Sequence, residues 1–220
     1  AYGVDRIEFS DGSVLSDAEV RAMLQAGTAG DDAILGINSG DVIDAGAGDD
    51  QVWAEGGTDT VSGGAGSDRL YGQAGNDVLD GGVGDDLLQG GTGGDVYLFG
   101  RGDGRDVVRN SQAVNQTDPN AYPYNAGAYL ETDQASTTDV LRFKAGITAA
   151  DLVLSRNAAH LVITLRDSSD QVTVEGYFGL NDINHAYGVD RIEFADGTVL
   201  SDAEVRAMLQ ADTAGDDAIL

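Results

Sequence analysis

The chain has 220 residues, of which 38 are Asp or Glu, 12 are Lys or Arg and 32 are Gly, so its formal net charge is −26. Because binding to phosphates needs a basic surface, this acidity argues against a nucleic-acid partner. Cysteine is absent, which excludes a disulfide framework. The sequence contains no run of about 18 apolar residues, so it predicts no membrane span.

The first 26 residues have the pattern of a strand, a turn and a helix. Residues 4–9 alternate between apolar and polar side chains, and Asp11-Gly12 predicts a hairpin turn. A capping box formed by Ser16 and Glu19 predicts a helix that runs to about Gln25. Its apolar face should contain Val20, Met23 and Leu24. We expect residues 1–26 to end one unit and to cap the open end of the next.

The same segment occurs twice. Residues 1–35 and 186–220 are identical except at three pairs of positions, Ser10/Ala195, Ser13/Thr198 and Gly27/Asp212. The offset between the copies is 185 residues. This repetition predicts that the chain is one unit of a tandem array in a longer protein, with residues 212–220 starting the next unit.

A nine-residue repeat fills the region that follows. Aspartate recurs at the sixth position of eight successive windows, at Asp32, Asp41, Asp50, Asp59, Asp68, Asp77, Asp86 and Asp95. An apolar residue follows each aspartate by two positions, and a glycine or serine precedes it by two. Residues 63–71, Gly-Gly-Ala-Gly-Ser-Asp-Arg-Leu-Tyr, are one of the clearest copies. The segment resembles the haemolysin-type calcium-binding (RTX) family, whose repeat is G-G-x-G-x-D-x-U-x.

This resemblance implies an all-β fold, a calcium-bound parallel β-roll over residues 27–109. Each nonapeptide should give a turn of about six residues and a strand of about three, and two nonapeptides should form one coil. Asp32, Asp50, Asp68 and Asp86 would then lie on one edge, and the other four on the opposite edge. Carboxylates about 4.8 Å apart on neighbouring coils repel by roughly 1 kcal/mol in water, or ~3–4 kcal/mol at an effective dielectric of about 20. Several Ca²⁺ ions, with turn carbonyls completing their oxygen shells, would reverse that sign. A calcium-free solenoid with glycine turns is the alternative, but it leaves the regular aspartates unexplained.

The period changes after Leu98. Asp106 follows Asp95 by eleven residues, so residues 99–104 contain an insertion of two. We expect Asp106 to join the eight aspartates as a calcium ligand and Val108 to be the last core residue of the roll. The tripeptide at 101–103, Arg-Gly-Asp, matches an integrin motif, but a glycine turn in a degenerate repeat explains it fully and is the favoured interpretation.

The rest of the chain divides into a polar segment and a strand-rich one. Residues 110–138 predict a surface loop or linker, with contact to a sugar or protein as the alternative. Residues 139–211 contain alternating strand patterns separated by turns and end in a second copy of the helix. This part resembles the haemolysin-type calcium-binding-related domain that follows many RTX rolls, and it predicts a β-rich flanking domain with short capping helices.

Enzyme motifs are missing from the sequence. It contains neither H-E-x-x-H nor G-x-S-x-G, and His160 and His185 have no neighbour at ligand spacing. We therefore expect a non-enzymatic calcium-binding unit of a large bacterial protein that is secreted or attached to the cell surface. An adhesin-like tandem array, with a protein or glycan ligand at the cell surface, is the favoured role. The alternative is a secretion and folding module of an exported RTX enzyme or toxin.

Overall fold

The computed structural model describes residues 6–110, 138–178 and 188–212. The loop expected at 110–138 and the start of a next unit at 212–220 therefore fall almost wholly outside the described residues. The N-terminal segment forms β1 (Arg6–Glu8), β2 (Val14–Ser16) and helix α1 (Asp17–Gln25). Both hydrogen bonds of the expected capping box, between Ser16 and Glu19, are present at the start of α1.

The nonapeptide region forms ten strands in chain order. They are β3 (Ala26–Thr28), β4 (Ala33–Asn38), β5 (Val42–Gly46), β6 (Gln51–Gly56), β7 (Thr60–Ala65), β8 (Arg69–Ala74), β9 (Val78–Val83), β10 (Leu87–Thr92), β11 (Val96–Phe99) and β12 (Arg105–Val108). Most have five or six residues, so the expectation of about three was wrong. The extra length arises because the ladder continues into the glycines, as in the pairing of Gly64 with Gly82.

The remaining residues form six further strands, a short 3-10 turn and a second α-helix. They are β13 (Val140–Phe143), the 3-10 turn (Ala149–Asp151), β14 (Leu152–Asn157), β15 (His160–Leu165), β16 (Gln171–Val174), β17 (Arg191–Phe194), β18 (Val199–Ser201) and helix α2 (Asp202–Asp212). The chain is all-β in class, as its sequence predicts. Among the described residues, no helix has the length and apolar character needed to cross a membrane.

The roll consists of two facing parallel sheets that the chain visits alternately. One has the order β4-β6-β8-β10-β12 and the other β3-β5-β7-β9-β11. Val52 pairs with Leu70, and Leu70 with Leu88, which confirms that one coil contains two nonapeptides. The apolar residues two positions after each aspartate all point inward and are at most 4% exposed. This column of side chains is the core between the sheets.

Backbone conformation explains the preference for glycine at the second repeat position. Gly64 and Gly82 have φ of +104° and +96° there, a backbone conformation that is energetically unfavourable for residues with a Cβ. Where the sequence instead has Glu55 and Gln73, φ remains positive, at +72° and +73°. The coil therefore imposes the left-handed conformation whether or not a glycine is present.

The flanking segment lengthens both sheets of the roll. β13 pairs in parallel with β11 and β17 with β13, while β16 pairs in parallel with β12. The antiparallel strands β14, β15 and β18 then complete the two outer edges. Val108 is buried as expected, but the core continues past it through Leu141, Ile163 and Ile192.

Candidate metal centre

The repeat aspartates form two columns, one along each edge of the roll. Within a column, the backbone N–H of each aspartate donates a hydrogen bond to the side chain of the aspartate on the next coil. The Asp50 N–H donates to Oδ1 of Asp68 at 2.8 Å, and the Asp68 N–H donates to Oδ1 of Asp86 at 2.8 Å. The same bond runs along the other edge, from the N–H of Asp59 to Oδ1 of Asp77 at 2.9 Å. Oδ1 of each aspartate therefore holds the preceding coil in register.

The second carboxylate oxygen of these aspartates is buried and accepts no hydrogen bond within the described part of the chain. This is the case for Oδ2 of Asp50, Asp59, Asp68, Asp77, Asp86 and Asp106. These residues are at most 2% exposed. Leaving one buried polar atom unsatisfied costs about 1–3 kcal/mol, and more when it is charged. A column of such atoms indicates that a cation belongs beside them.

The pKa values of Asp77, Asp86 and Asp106 agree with the lack of hydrogen-bond partners at their Oδ2 atoms among the described residues. Burial raises the pKa of Asp77 to about 6, and of Asp86 to about 7. Burial, and then repulsion from Asp86, raises the pKa of Asp106 to about 8. Without a cation, the fold therefore penalises the ionised aspartate, and increasingly so toward the C-terminal coils. A divalent cation would remove that penalty.

The space next to the orphaned oxygens is an oxygen-lined cradle. A Cβ added to Gly63 would collide with Oδ2 of Asp68 and with the carbonyl oxygen of Gly81 on the next coil. The same arrangement recurs at Gly72, where Oδ2 of Asp77 meets the carbonyl oxygen of Gly90. Glycine at the first repeat position thus leaves room where a carboxylate and a carbonyl converge.

The donors favour a hard cation. Within residues 6–110, 138–178 and 188–212, no group of three or more His, Cys, Asp or Glu side chains could hold a metal. Each cradle must therefore combine carboxylates with backbone carbonyls. Such all-oxygen sets suit Ca²⁺, whereas Zn²⁺ prefers nitrogen and sulfur ligands. Ca²⁺ fits these residues, and in the middle of the roll Asp68 and its neighbours on adjacent coils would hold it.

The first aspartate on each edge has a different environment. Oδ2 of Asp32 accepts hydrogen bonds from the N–H and the hydroxyl of Thr28, at 2.7 and 2.9 Å. Oδ2 of Asp41 accepts the N–H of Ile37 at 2.7 Å. At the N-terminal coil, protein donors thus satisfy the Oδ2 atoms, whereas the orphaned Oδ2 atoms of the later coils named above have no hydrogen-bond partner in the part of the chain that the structure describes.

The columns extend beyond the nonapeptides. The Asp86 N–H donates to Oδ1 of Asp106 at 3.1 Å, so the two-residue insertion does not break that edge. On the other edge, the Asp95 N–H donates to Oδ1 of Asp139, and the Asp139 N–H to Oδ2 of Asp190. The sequence reasoning missed Asp139 and Asp190. Each is followed two residues later by an apolar core residue, as in the repeat. This Asp-x-apolar pattern could have identified both residues, although the nine-residue spacing is absent there.

Protein atoms fill the end of this second column. The Tyr97 hydroxyl accepts the N–H of Gly90 at 3.0 Å and donates to Oδ1 of Asn110 at 3.1 Å. The Asn110 side-chain amide donates in turn to Oδ2 of Asp139 and to the carbonyl of Gly188. A Cβ on Gly90 would collide with the Tyr97 hydroxyl as well as with Oδ2 of Asp95. A phenol and an amide therefore share the space that the cradle leaves open at Gly63 and Gly72.

Two other candidate motifs have structural roles. In the Arg-Gly-Asp tripeptide, Asp103 is 6% exposed and pairs with Lys144 at 2.9 Å, while Arg101 pairs with Asp151 at 2.9 Å. These contacts tie the insertion to the flanking segment. Nδ1 of His160 accepts the N–H of Gly176 at 3.0 Å. His185 lies outside the described residues.

Comparison with protein families agrees with this geometry. The RTX calcium-binding nonapeptide repeat matches in four copies, at residues 26–61, 35–70, 62–97 and 71–108. The haemolysin-type calcium binding protein related domain matches residues 160–204, from β15 into α2.

Two known proteins are similar over part of the chain. The iron-regulated protein FrpA of Neisseria meningitidis serogroup C is 42% identical over 120 residues, which are 54% of this chain and 9% of that protein. The crystal structure of the extracellular lipase LipA from Serratia marcescens aligns with 72% of this chain and 38% of its own, at 20% identity and a TM-score of 0.28. The chain thus spans a small part of the curated relative it matches. On the two family matches, the chain belongs to the RTX family and contains calcium-binding nonapeptide repeats followed by a haemolysin-type calcium-binding-related domain.

Proposed function

We propose that the chain is a unit of a secreted or cell-surface protein that folds when Ca²⁺ binds outside the cell. The observation that supports this proposal is the buried column of Oδ2 atoms without hydrogen-bond partners. Bound Ca²⁺ supplies the positive charge that these atoms lack. The aspartates, glycines and carbonyls of the chain supply the cradle, and folding and metal binding become one equilibrium.

A calcium titration tests the proposal. With chelator present, residues 27–109 should be largely disordered, because their carboxylates repel and short parallel strands are not stable alone. Ca²⁺ in the range of about 10⁻⁴–10⁻³ M, typical of extracellular modules, should induce β-structure cooperatively. Mg²⁺ should not, because it needs a small octahedral site. The measurement is far-UV circular dichroism, and a spectrum that chelation leaves unchanged would refute the proposal.

For the parent protein we propose a repetitive, adhesin-like array in which this unit is a spacer without catalytic activity. The 185-residue offset between two nearly identical segments supports that role. The second candidate is a secretion and folding module of an exported enzyme or toxin. More units of the same length next to this one would favour the array, and an adjoining catalytic domain would favour the module. A protein or glycan ligand would then bind elsewhere in the array.

A further inference from the structure

The two copies of the strand-turn-helix segment have nearly the same sequence but different surroundings. Residues 6–25 form β1, β2 and α1 at one end of the molecule. Residues 191–210 form β17, β18 and most of α2 at the other end. The second copy therefore serves as an internal standard that shows how this sequence is buried.

The second copy is docked into the flanking segment. β17 lies between β18 and β13, and Ile192 and Phe194 are 0% and 4% exposed. The rings of Phe194 and Phe143 stack with centroids 5.3 Å apart. The Arg142 guanidinium pairs with Glu193 at 2.7 Å, across the β13–β17 pairing.

The first copy presents the same face to solvent. β1 pairs with β2, and in the described structure those two strands make up their whole sheet. Ile7 and Phe9, the counterparts of Ile192 and Phe194, are 44% and 48% exposed. The edge of β1 that corresponds to the β13-facing edge of β17 is thus open for a parallel strand.

Helix α1 has two faces, of which one is already used. Ala22 and Gln25 line a cavity shared with residues of the first coil, including Ser39 and Asp41. Because a helix turns about 100° per residue, Met23 and Leu24 lie on a different side, where they are 66% and 72% exposed. Their counterparts Met208 and Leu209 pack against the flanking core. The expected apolar face of the helix is therefore real, but it does not face the roll.

We propose that β1, β2 and the outer face of α1 are a docking surface for residues 138–178 of a second copy of this chain. That copy would pair its strand corresponding to β13 in parallel with β1, in place of its own β17, as β13 pairs with β17 here. Glu8, the counterpart of Glu193, would then meet the second copy's equivalent of Arg142. In a tandem array, the helix would join the flanking segment behind it to the roll ahead of it.

A molecule cannot satisfy this surface with its own flanking segment. β3 and β4 next to α1 are the first strands of their sheets, and β18 and β14 are the last strands of the same sheets. Eight strands spaced about 4.8 Å apart separate the two ends by roughly 34 Å. The contact is therefore between molecules, or between successive units of the array proposed above.

The test frees the flanking segment in the full chain. Ile192→Asp should undock the second copy, and the segment is then open to residues 6–25 of a neighbouring molecule. Sedimentation of this variant in Ca²⁺ should show a weight-average mass that rises at least about twofold with concentration, because head-to-tail contacts can propagate. The wild type should remain monomeric, since its tethered copy has the advantage of effective concentration. Ile7→Asp combined with Ile192→Asp should also remain monomeric.

Introduced cysteines identify the contact, because the chain has none of its own. Glu8→Cys and Arg142→Cys in the Ile192→Asp chain should crosslink between molecules, whereas Glu8→Cys with Thr60→Cys, an exposed roll position, should not. Equal crosslinking of the two pairs would overturn the proposal, as would a concentration-independent mass for Ile192→Asp. A wild-type dimer abolished by Ile7→Asp would also overturn it, since the surface would then bind itself. Calcium-induced circular dichroism reports whether each roll has folded, separately from assembly, and Ile192→Thr repeats the comparison if the Asp variant does not fold.

Discussion

The two oxygens of a column aspartate have separate roles. Oδ1 of Asp68 accepts the N–H of Asp50 on the preceding coil, while Oδ2 faces the cradle above Gly63. An asparagine keeps an oxygen for the backbone N–H but removes the charge that a cation needs. Asparagine substitutions therefore separate coil registration from metal binding.

Asp68→Asn should remove about two calcium ions, because Asp68 shares one cradle region with Asp50 and another with Asp86, and solenoid stability resides in nearest-neighbour contacts. The matched control is Asp44→Asn, which makes the same charge change at an exposed strand position. Calorimetric counting of bound calcium is the measurement. Equal stoichiometries for the two variants would mean that net charge, and not the column, controls binding.

Tyr97→Phe tests whether protein atoms close the second column. The change leaves the N–H of Gly90 without its acceptor and Oδ1 of Asn110 without its donor, both in a buried site. We expect a loss of about 1–3 kcal/mol in the free energy of unfolding in saturating Ca²⁺. Urea denaturation measures it. Because the Asn110 amide still donates to Oδ2 of Asp139 in this variant, the number of bound calcium ions should stay the same. A gain of one ion would show that the Tyr97 hydroxyl alone keeps a metal out.

At the scale of elements, the strict nine-residue period makes the roll predictable. Each copy specifies a turn, an inward apolar residue and the next turn, so the buried apolar column follows from the sequence, whereas the 18-residue coil was implied by the resemblance to the RTX repeat. The continuation through Asp139 and Asp190 was missed because its spacings are 44 and 51 residues. The local Asp-x-apolar pattern marks both residues, but which strands they join depends on where the intervening loops return the chain, and no local pattern encodes that.

The aspartate columns should make metal-free folding depend on pH. Burial raises the pKa of Asp77, Asp86 and Asp106 to about 6, 7 and 8 in the folded chain, from an ordinary value of 3.8. The metal-free folded chain thus binds more protons than the unfolded chain. The stability that these protons give to the folded state is fully present below the ordinary pKa of 3.8, and it is lost as pH rises through the three raised pKa values. With chelator, β-structure should be greater at about pH 5.5 than at about pH 8.

The matched variant for the pH experiment is Asp86→Asn with Asp106→Asn, which removes the two highest pKa values. Its circular dichroism in chelator should change less between the two pH values than that of the wild type. Calcium binding should have the opposite trend, because protons compete with Ca²⁺ for the same carboxylates. A metal-free signal that grows toward alkaline pH would contradict the account of the columns.

At the scale of the whole molecule, strands β3 to β18 form two continuous eight-stranded sheets that include both the roll and the flanking segment. Lys144, directly after β13, donates to Asp80 on β9 at 2.7 Å and to Asp103 in the insertion at 2.9 Å. Phe99 of β11 contacts Phe143 of the flanking segment with ring centroids 6.1 Å apart. These contacts predict that residues 27–109 and 139–211 unfold together, although their sequences belong to two different family models.

Phe143→Ala measures that coupling, because Phe143 belongs to the flanking segment and has the rings of Phe99 and Phe194 on its two sides. Removing the ring should cost about 3–5 kcal/mol. If the sheets unfold as one unit, the roll loses that stability too, and more Ca²⁺ is needed to fold it. The Ca²⁺ midpoint followed by circular dichroism should therefore rise, whereas Val153→Ala, at a position 39% exposed on β14, should leave it unchanged. A separate melting transition for the flanking segment, with an unchanged calcium midpoint for the roll, would instead make them independent domains.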